Sequence, residues 1–316
     1  MRKLLPVFVW TLRVLKYAWL TVWTLYQIAL GAVLVGIVWV LFQAAAYFHI
    51  LDIRDLRNHS PQTTAFIENN RRVMKQDFER AQLKGAKVPP DTSIHWSWIP
   101  LDSIPKTFVD LVLVEEDSKF YSHEGFDFEQ IEYSLVANHQ AGRAARGAST
   151  ITQQVAKNLY LSGDKEMQRK LREAAISLLL ENILEKDRIL EIYLNIAQFG
   201  HGIFGIREAA RFHFGVEPED LTQDQMLSLV CLLPAPEHWN PKRPSTSYLS
   251  HKQQVLRNYA LFRGIRSIAD STSPTWMHDV YDSLGNLLAE QRWKKLRKGP
   301  LVEEDSVAVD SVPEAE

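Results

Sequence analysis

The chain has 316 residues, room for one sizeable domain with appendages or for two small ones. A formal net charge of −2 and a pI near 6.6 argue against a nucleic-acid binder, which carries a strong basic excess. The single cysteine, Cys231 in the apolar run MLSLVCLLP, rules out an intramolecular disulfide and reads as a small core residue. The first predicted element is a membrane anchor. No charged residue occurs from Tyr17 through Leu51, and the run WTLYQIALGAVLVGIVWVLFQAAAYF exceeds the ~20 apolar residues that a bilayer requires. Trp and Tyr near its ends suit the two interfaces. Arg2, Lys3, Arg13 and Lys16 precede it, whereas Asp52, Arg54 and Asp55 roughly cancel after it. The excess of positive charge on one side predicts a cytoplasmic N-terminus, with the remainder outside. Ala44, Ala45 and Ala46 offer a signal-peptide cleavage site, but the apolar run is longer than the ~7–15 residues of such a peptide, which favours an uncleaved anchor. Trp10 to Trp23 is expected to lie along the interface ahead of the span.

Residues 52–95 are polar, include NNRRVMKQDFERAQLKGAK and a Pro-Pro pair, and read as a linker or stalk with some helix. Residues 96–260 read as a mainly helical domain. Apolar residues recur three and four apart in SIPKTFVDLVLVEED, STITQQVAKNLYL, RKLREAAISLLLENIL and LTQDQMLSLVCLLP, and glycines such as Gly125, Gly147, Gly200 and Gly215 punctuate them. Residues 261–316 form an extension ending in an acidic tail, EEDSVAVDSVPEAE, of the composition of a disordered segment. There is no internal repeat.

Three stretches carry chemistry. In GASTITQQVAKNLYL, a helix starting near Ser149 puts Ser149, Gln153 and Lys157 on one face with Thr150 alongside, and Ile151, Val155 and Leu159 on the opposite one. A polar stripe that opens at a helix N-terminus and ends in a lysine suits a phosphate or a sugar; a solvated helix face with an ordinary cap fits the same composition. In VEEDSKFYSHEGFD, Glu115, Glu116 and Asp117 follow the apolar VDLVLV. A carboxylate at the edge of an apolar wall can act as acid or base, and a surface acidic cluster is the alternative, although a helix C-terminus disfavours negative charge. His123 has no second ligand at metal spacing and reads as a structural hydrogen-bonder. In KEMQRKLREAAISLLLENILEKDRILEIYLN, Glu173 lies four residues after Arg169 and three after Lys170, the weaker order for a stabilising helix pair. Leu171, Ala174, Ala175 and Leu178 read as its core face, and Arg169, Lys170 and Arg172 as either a solvated basic face or an anion site around a carboxylate.

EDSKFYSHEGFD, GASTITQQVAKNLYL, RKLRE and KDRILEIYLNIAQFG occur in this order, and together they resemble the successive motifs of the family 51 peptidoglycan glycosyltransferases. The resemblance runs from about Ile99 to Pro241 and is nearest to the monofunctional biosynthetic transglycosylases. Ser162 and Lys165 match an SxxK spacing, but no KTG or SxN accompanies them and the C-terminal remainder is too short for a transpeptidase domain. The resemblance implies a mainly α, lysozyme-like domain beside the bacterial inner membrane. It implies polymerisation of lipid II with inversion at the donor MurNAc and release of undecaprenyl pyrophosphate. It makes Glu116 the general base and Glu173 the second carboxylate, near the donor pyrophosphate. Lys157, Lys165, Arg169, Lys170 and Arg172 become candidate pyrophosphate contacts, and Asp117, Phe120, Ser149, Thr150, Gln153 and Gln154 further substrate contacts. It requires no cofactor and leaves open a divalent cation, Mg or Mn, at the pyrophosphate. The implied partners are lipid II, the growing glycan strand, the membrane and other cell-wall synthesis proteins. A lytic glycosidase on a similar fold and a catalytically silent cell-wall scaffold are the competing readings; the paired glutamines and the basic cluster favour the polymerase.

Overall fold

The computed structural model describes residues 5–84, 91–141, 147–161, 166–265, 268 and 273–297. The chain divides into two compact units, Met1–His59 and Ser60–Glu316. The first is essentially one unbroken helix, α1 (Leu5–Asp55). Its stretch Arg13–Leu41 is long and apolar enough to cross a membrane, and its apolar side chains stand exposed. The expected separate interfacial segment at Trp10 to Trp23 is continuous with the rest of this helix.

The second unit is mainly α, as expected. Its helices are α2 (Ala65–Leu83), α3 (Lys106–Glu116), α4 (Phe128–Ala141), α5 (Ile151–Tyr160), α6 (Glu166–Ile183), α7 (Lys186–Ile196), α8 (Gly205–Phe214), α9 (Gln223–Val230), α10 (Thr246–Phe262) and α11 (Thr275–Arg297). Three short strands, β1 (His95–Trp96), β2 (Gln198–Gly200) and β3 (Ile203–Phe204), form a small sheet in the order β1-β3-β2. β1 runs parallel to β3, and β2 pairs antiparallel to β3 across a bulge. Gly202 turns the chain between β2 and β3 at φ +70, and a Cβ there would come within 2.4 Å of the Ser93 carbonyl oxygen. Only glycine suits both the turn and the close approach.

Helix α5 is central: it packs against α2, α6 and α7. Residues 52–95, read as a polar stalk, therefore contain a folded part of the domain. Ile67, Asn70 and Met74 lie on one side of α2 and are buried, the i, i+3, i+7 spacing of a packed stripe. Asn195 in α7 ties in the segment after β1: its Nδ2 donates to the Ile99 carbonyl oxygen and its Oδ1 accepts from the Ile99 amide, both at 2.9 Å. Beyond the motif-bearing stretch, Met277, Val280 and Leu284 are buried and α11 packs on α10, so part of the C-terminal extension is ordered core. The acidic tail, 303–316, lies outside the described residues, as do Ser162 and Lys165.

The expected core face of α6 is not the buried one. Leu171 is 69% exposed and Leu178 48%, whereas Glu173, Ile176, Ser177 and Leu180 are buried. Turning the helix this way trades two leucines to the outside for a carboxylate held against α5. That exchange has a local explanation in the site.

Candidate active site

Helix α5 is fixed at its start by an unusual number of side chains. Its N-cap is Thr150, one residue later than the Ser149 start expected from the sequence. Thr150 Oγ1 accepts from the Gln153 amide at 3.3 Å, and Gln153 Oε1 accepts from the Thr150 amide at 3.1 Å. This reciprocal pair satisfies two of the helix's orphan donors. Thr150 Oγ1 also donates to the Gly125 carbonyl oxygen at 2.7 Å. The Ile151 amide donates to Asp117 Oδ2 at 3.0 Å. His123 Nδ1 accepts from the Gly125 amide, so its Nε2, 3.0 Å from both Asp117 oxygens, carries the proton that it donates. Phe120 is 1% exposed and packs beneath, with the Lys186 ammonium 4.4 Å from the centre of its ring. Asp117, Phe120 and Thr150, grouped by the resemblance with the substrate contacts, are thus buried parts of the frame that docks α5 on the end of α3. Gln153 serves the cap and also lines a cavity.

Two cavities open on α5. The first, about 440 Å³, is lined by Ser149, Gln153, Gln154, Lys157, Arg169, Lys170 and Glu173. Three cations there face one carboxylate. Glu173 is 2% exposed; one of its oxygens pairs with Lys170, and Arg169 lies 3.4 Å from the other. Lys170 also donates to Ser149 Oγ at 3.3 Å. The second cavity, about 350 Å³, lies between α5, α7 and the Leu233–His238 segment, and Phe66, Asn158, Tyr193, Gln198 and Glu237 contribute to its walls. Gln154 and Lys157 line both cavities and form the wall between them. Gln154 Nε2 donates to Glu116 Oε2 at 2.6 Å. Glu116 is half-buried, is bonded to this wall through Gln154 and is not itself among the residues that line either cavity. Arg172 is exposed and lines neither cavity.

The electrostatics follow from burial. Glu116 has its proton affinity pushed up from the ordinary carboxylate value to about 7. Desolvation is the main cause, and neighbouring Glu115 adds to it; the Gln154 hydrogen bond, Lys157 and His251 pull the other way. Lys157 is shifted down, chiefly by burial; Glu173 and Glu116 oppose the shift, and Arg169 and Lys170 reinforce it. A desolvated ammonium beside two further cations gains most when an anion arrives. The residues do not suit a resident divalent cation. Glu173 is the one carboxylate on the cationic cavity and both its oxygens face cations, and the described residues contain no cluster of three metal-binding side chains.

A family model described as Transglycosylase matches residues 86–260. The chain belongs to the transglycosylase family. Biosynthetic peptidoglycan transglycosylases are similar to it over most of its length. That of Nitrosospira multiformis is 33% identical over 234 residues, 74% of this chain and 93% of the relative. That of Alcanivorax borkumensis is 37% identical over 228 residues, 72% of this chain and 86% of the relative. That of Bordetella avium is 38% identical over 188 residues, 58% of this chain and 76% of the relative. Helix α11 lies beyond the matched residues.

The second cavity of this transglycosylase escaped the sequence reading. Asn158 directly follows Lys157, and its Oδ1 is buried with no hydrogen-bond partner among the described residues. Tyr193 and Gln198 come from the YLNIAQ run, whose apolar content hides two cavity-facing polar side chains. Helical periodicity says nothing of the Leu233–His238 wall, which is a turn-rich segment.

Proposed function

We propose that this transglycosylase is a membrane-anchored peptidoglycan glycosyltransferase that polymerises lipid II. The observation that carries the reading is the wall shared by a cationic cavity and a second cavity of mixed polar and apolar lining, with a carboxylate of raised proton affinity bonded to that wall. The donor's pyrophosphate occupies the cationic cavity, where Lys157, Arg169 and Lys170 offset its charge. The acceptor sugar occupies the second cavity, whose walls include Asn158, Tyr193 and Gln198. The acceptor 4-hydroxyl attacks the donor MurNAc anomeric carbon from the face opposite the pyrophosphate. Its oxygen bonds to the carbon, the bond to the pyrophosphate breaks, and the configuration inverts. Glu116, turned to the hydroxyl from its Gln154 contact, takes the proton. A base with an affinity near 7 is ionised in part at neutral pH and still binds the proton well, the balance that general-base catalysis requires. Charge gathering on the leaving undecaprenyl pyrophosphate is met by the three cations, already in place. Glu173 holds Arg169 and Lys170 in that arrangement.

Two features support a place at the membrane. One is the exposed apolar span of α1. The other is a patch on the catalytic unit: Phe128, Leu135 and Val136 on α4 are 76%, 66% and 51% exposed. The lysines and arginines ahead of the span support a cytoplasmic N-terminus and a catalytic unit on the periplasmic side. A lytic glycosidase would need a second carboxylate free to work across the scissile bond, whereas Glu173 is engaged by two cations.

The test is polymerisation of purified lipid II by the full chain and by Glu116→Gln. Wild type yields polymer; the variant loses ~10²–10⁴ in rate while still binding lipid II. Polymer formed by the variant within tenfold of wild type removes Glu116 as the base. Cleavage of preformed glycan by wild type supports the hydrolase, and no change of either substrate supports the scaffold.

A further inference from the structure

Helix α10 packs against α3 and carries His251. The His251 Nε2 lies 3.2 Å from Glu115 Oε1, and the two side chains are 22% and 13% exposed. The imidazole rests on Trp239, ring centroids 5.1 Å apart, and Trp239 directly follows the Leu233–His238 wall of the second cavity. The buried Nε2 makes no hydrogen bond to any described residue, so its approach to Glu115 is a close charge contact rather than a hydrogen bond. Glu115 stands in the last turn of α3, beside Glu116. Two adjacent carboxylates at a helix C-terminus face the negative end of the helix dipole. A half-buried carboxylate there gains from a cationic neighbour.

We propose that His251 is a positioning residue for the transfer reaction: from α10 it holds Glu115, and through Glu115 it sets the placement of Glu116 and the charge beside it. The inference rests on the reading of Glu116 as the base. The other groups around the pair leave His251 as the partner on that side. Lys157 faces Glu116 from α5, across Gln154. Tyr193 on α7 and Cys231 at the end of α9 have their proton affinities raised well above the ordinary by burial and stay neutral. Asp117 is occupied by His123 and the Ile151 amide. Lys252, one residue on from His251, is turned to Ser228 and Asp224. Replacing His251 leaves the charge of Glu115 unopposed next to the base, so Glu116 ionises less readily. Replacing Glu115 does the reverse.

The experiment is the pH profile of lipid II polymerisation by the full chain in detergent, for wild type, His251→Gln, Glu115→Gln, the double variant and Glu116→Gln. The acid limb of His251→Gln should move up by at least about half a pH unit, which lowers the rate at pH 6 roughly threefold or more and spares the alkaline plateau. That of Glu115→Gln should move down, and His251→Gln should move the limb less in the Glu115→Gln background than alone, the remainder being the direct pull of His251 on Glu116. A uniform loss at every pH, or a limb that stays in place, overturns the proposal and leaves the base assignment standing. An active Glu116→Gln overturns both. If His251→Gln fails to fold, the smaller His251→Asn carries the test: an upward limb supports the proposal and an unmoved one overturns it.

Discussion

Holding Glu116 in a desolvated place has a cost that stability measurements can read. Its proton affinity rises from 4.5 to about 7 on folding. At ~1.4 kcal/mol per unit, the ionised side chain costs the fold up to about 3 kcal/mol, and nearer 2 once the partial exposure of the carboxylate is allowed for. The sign follows from the direction of the shift. The folded protein binds this proton more tightly than the unfolded chain does. The associated stability is therefore complete below about pH 4.5 and is lost as pH rises through about 7. Glutamine has the same shape, keeps a carbonyl oxygen for Gln154 and never ionises, so Glu116→Gln escapes the loss. The measurement is thermal unfolding of the full chain in detergent, wild type against Glu116→Gln, at pH 5 and pH 8.5. The difference between the proteins cancels the titrating groups that are not coupled to Glu116. It should be small at pH 5 and favour the variant by about 2–3 kcal/mol at pH 8.5, roughly 4–12 °C for a domain of this size. A difference that is the same at both pH values would refute the desolvation argument, whatever the activity of the variant.

Lys157→Ala should slow polymerisation by ~10²–10³ and leave the melting temperature nearly unchanged, since the ammonium is itself disfavoured by burial; a badly unstable variant with normal activity per folded molecule would remove Lys157 from the donor site. A chain beginning at Asp52 should stay folded, polymerise slowly on lipid II in liposomes and recover in detergent, because the anchor raises local concentration rather than adding a contact. Equal rates for truncated and full-length protein in liposomes would dismiss that role.

The anchor, the helical class and the three motif-bearing stretches were legible because each rests on local pattern: an uncharged run, a 3.6-residue period, and charged clusters beside apolar walls. Orientation was not local. Leu171 and Leu178 look like core to any periodicity argument, yet α6 turns Glu173 inward, since two cations from its own preceding turn can neutralise a carboxylate there. The polar stretch 52–95 reads as a stalk because only three positions of α2, Ile67, Asn70 and Met74, are buried and one of those is polar. The second cavity was hidden for a related reason: its walls come from α2, α5, α7 and the segment after α9, which meet only in the folded unit.

The two adjacent glutamines of α5 show how one short stretch serves both folding and chemistry. Neighbours on a helix point about 100° apart. Gln153 at the third helical position reaches back to the Thr150 amide and closes the cap. Gln154, one step round, leaves that frame and reaches Glu116. A turn later Lys157 returns to the same wall, and Asn158 opens on the second cavity. The residues of the first turn fix where the helix starts, through Asp117 and Gly125. The start fixes the rotation of everything after it. A slip of one residue in the cap would carry Gln154 away from Glu116 and Lys157 out of the wall between the cavities. The polarity at the start of this helix therefore acts at one remove from the substrate: it sets the angle at which the second glutamine and the lysine meet it.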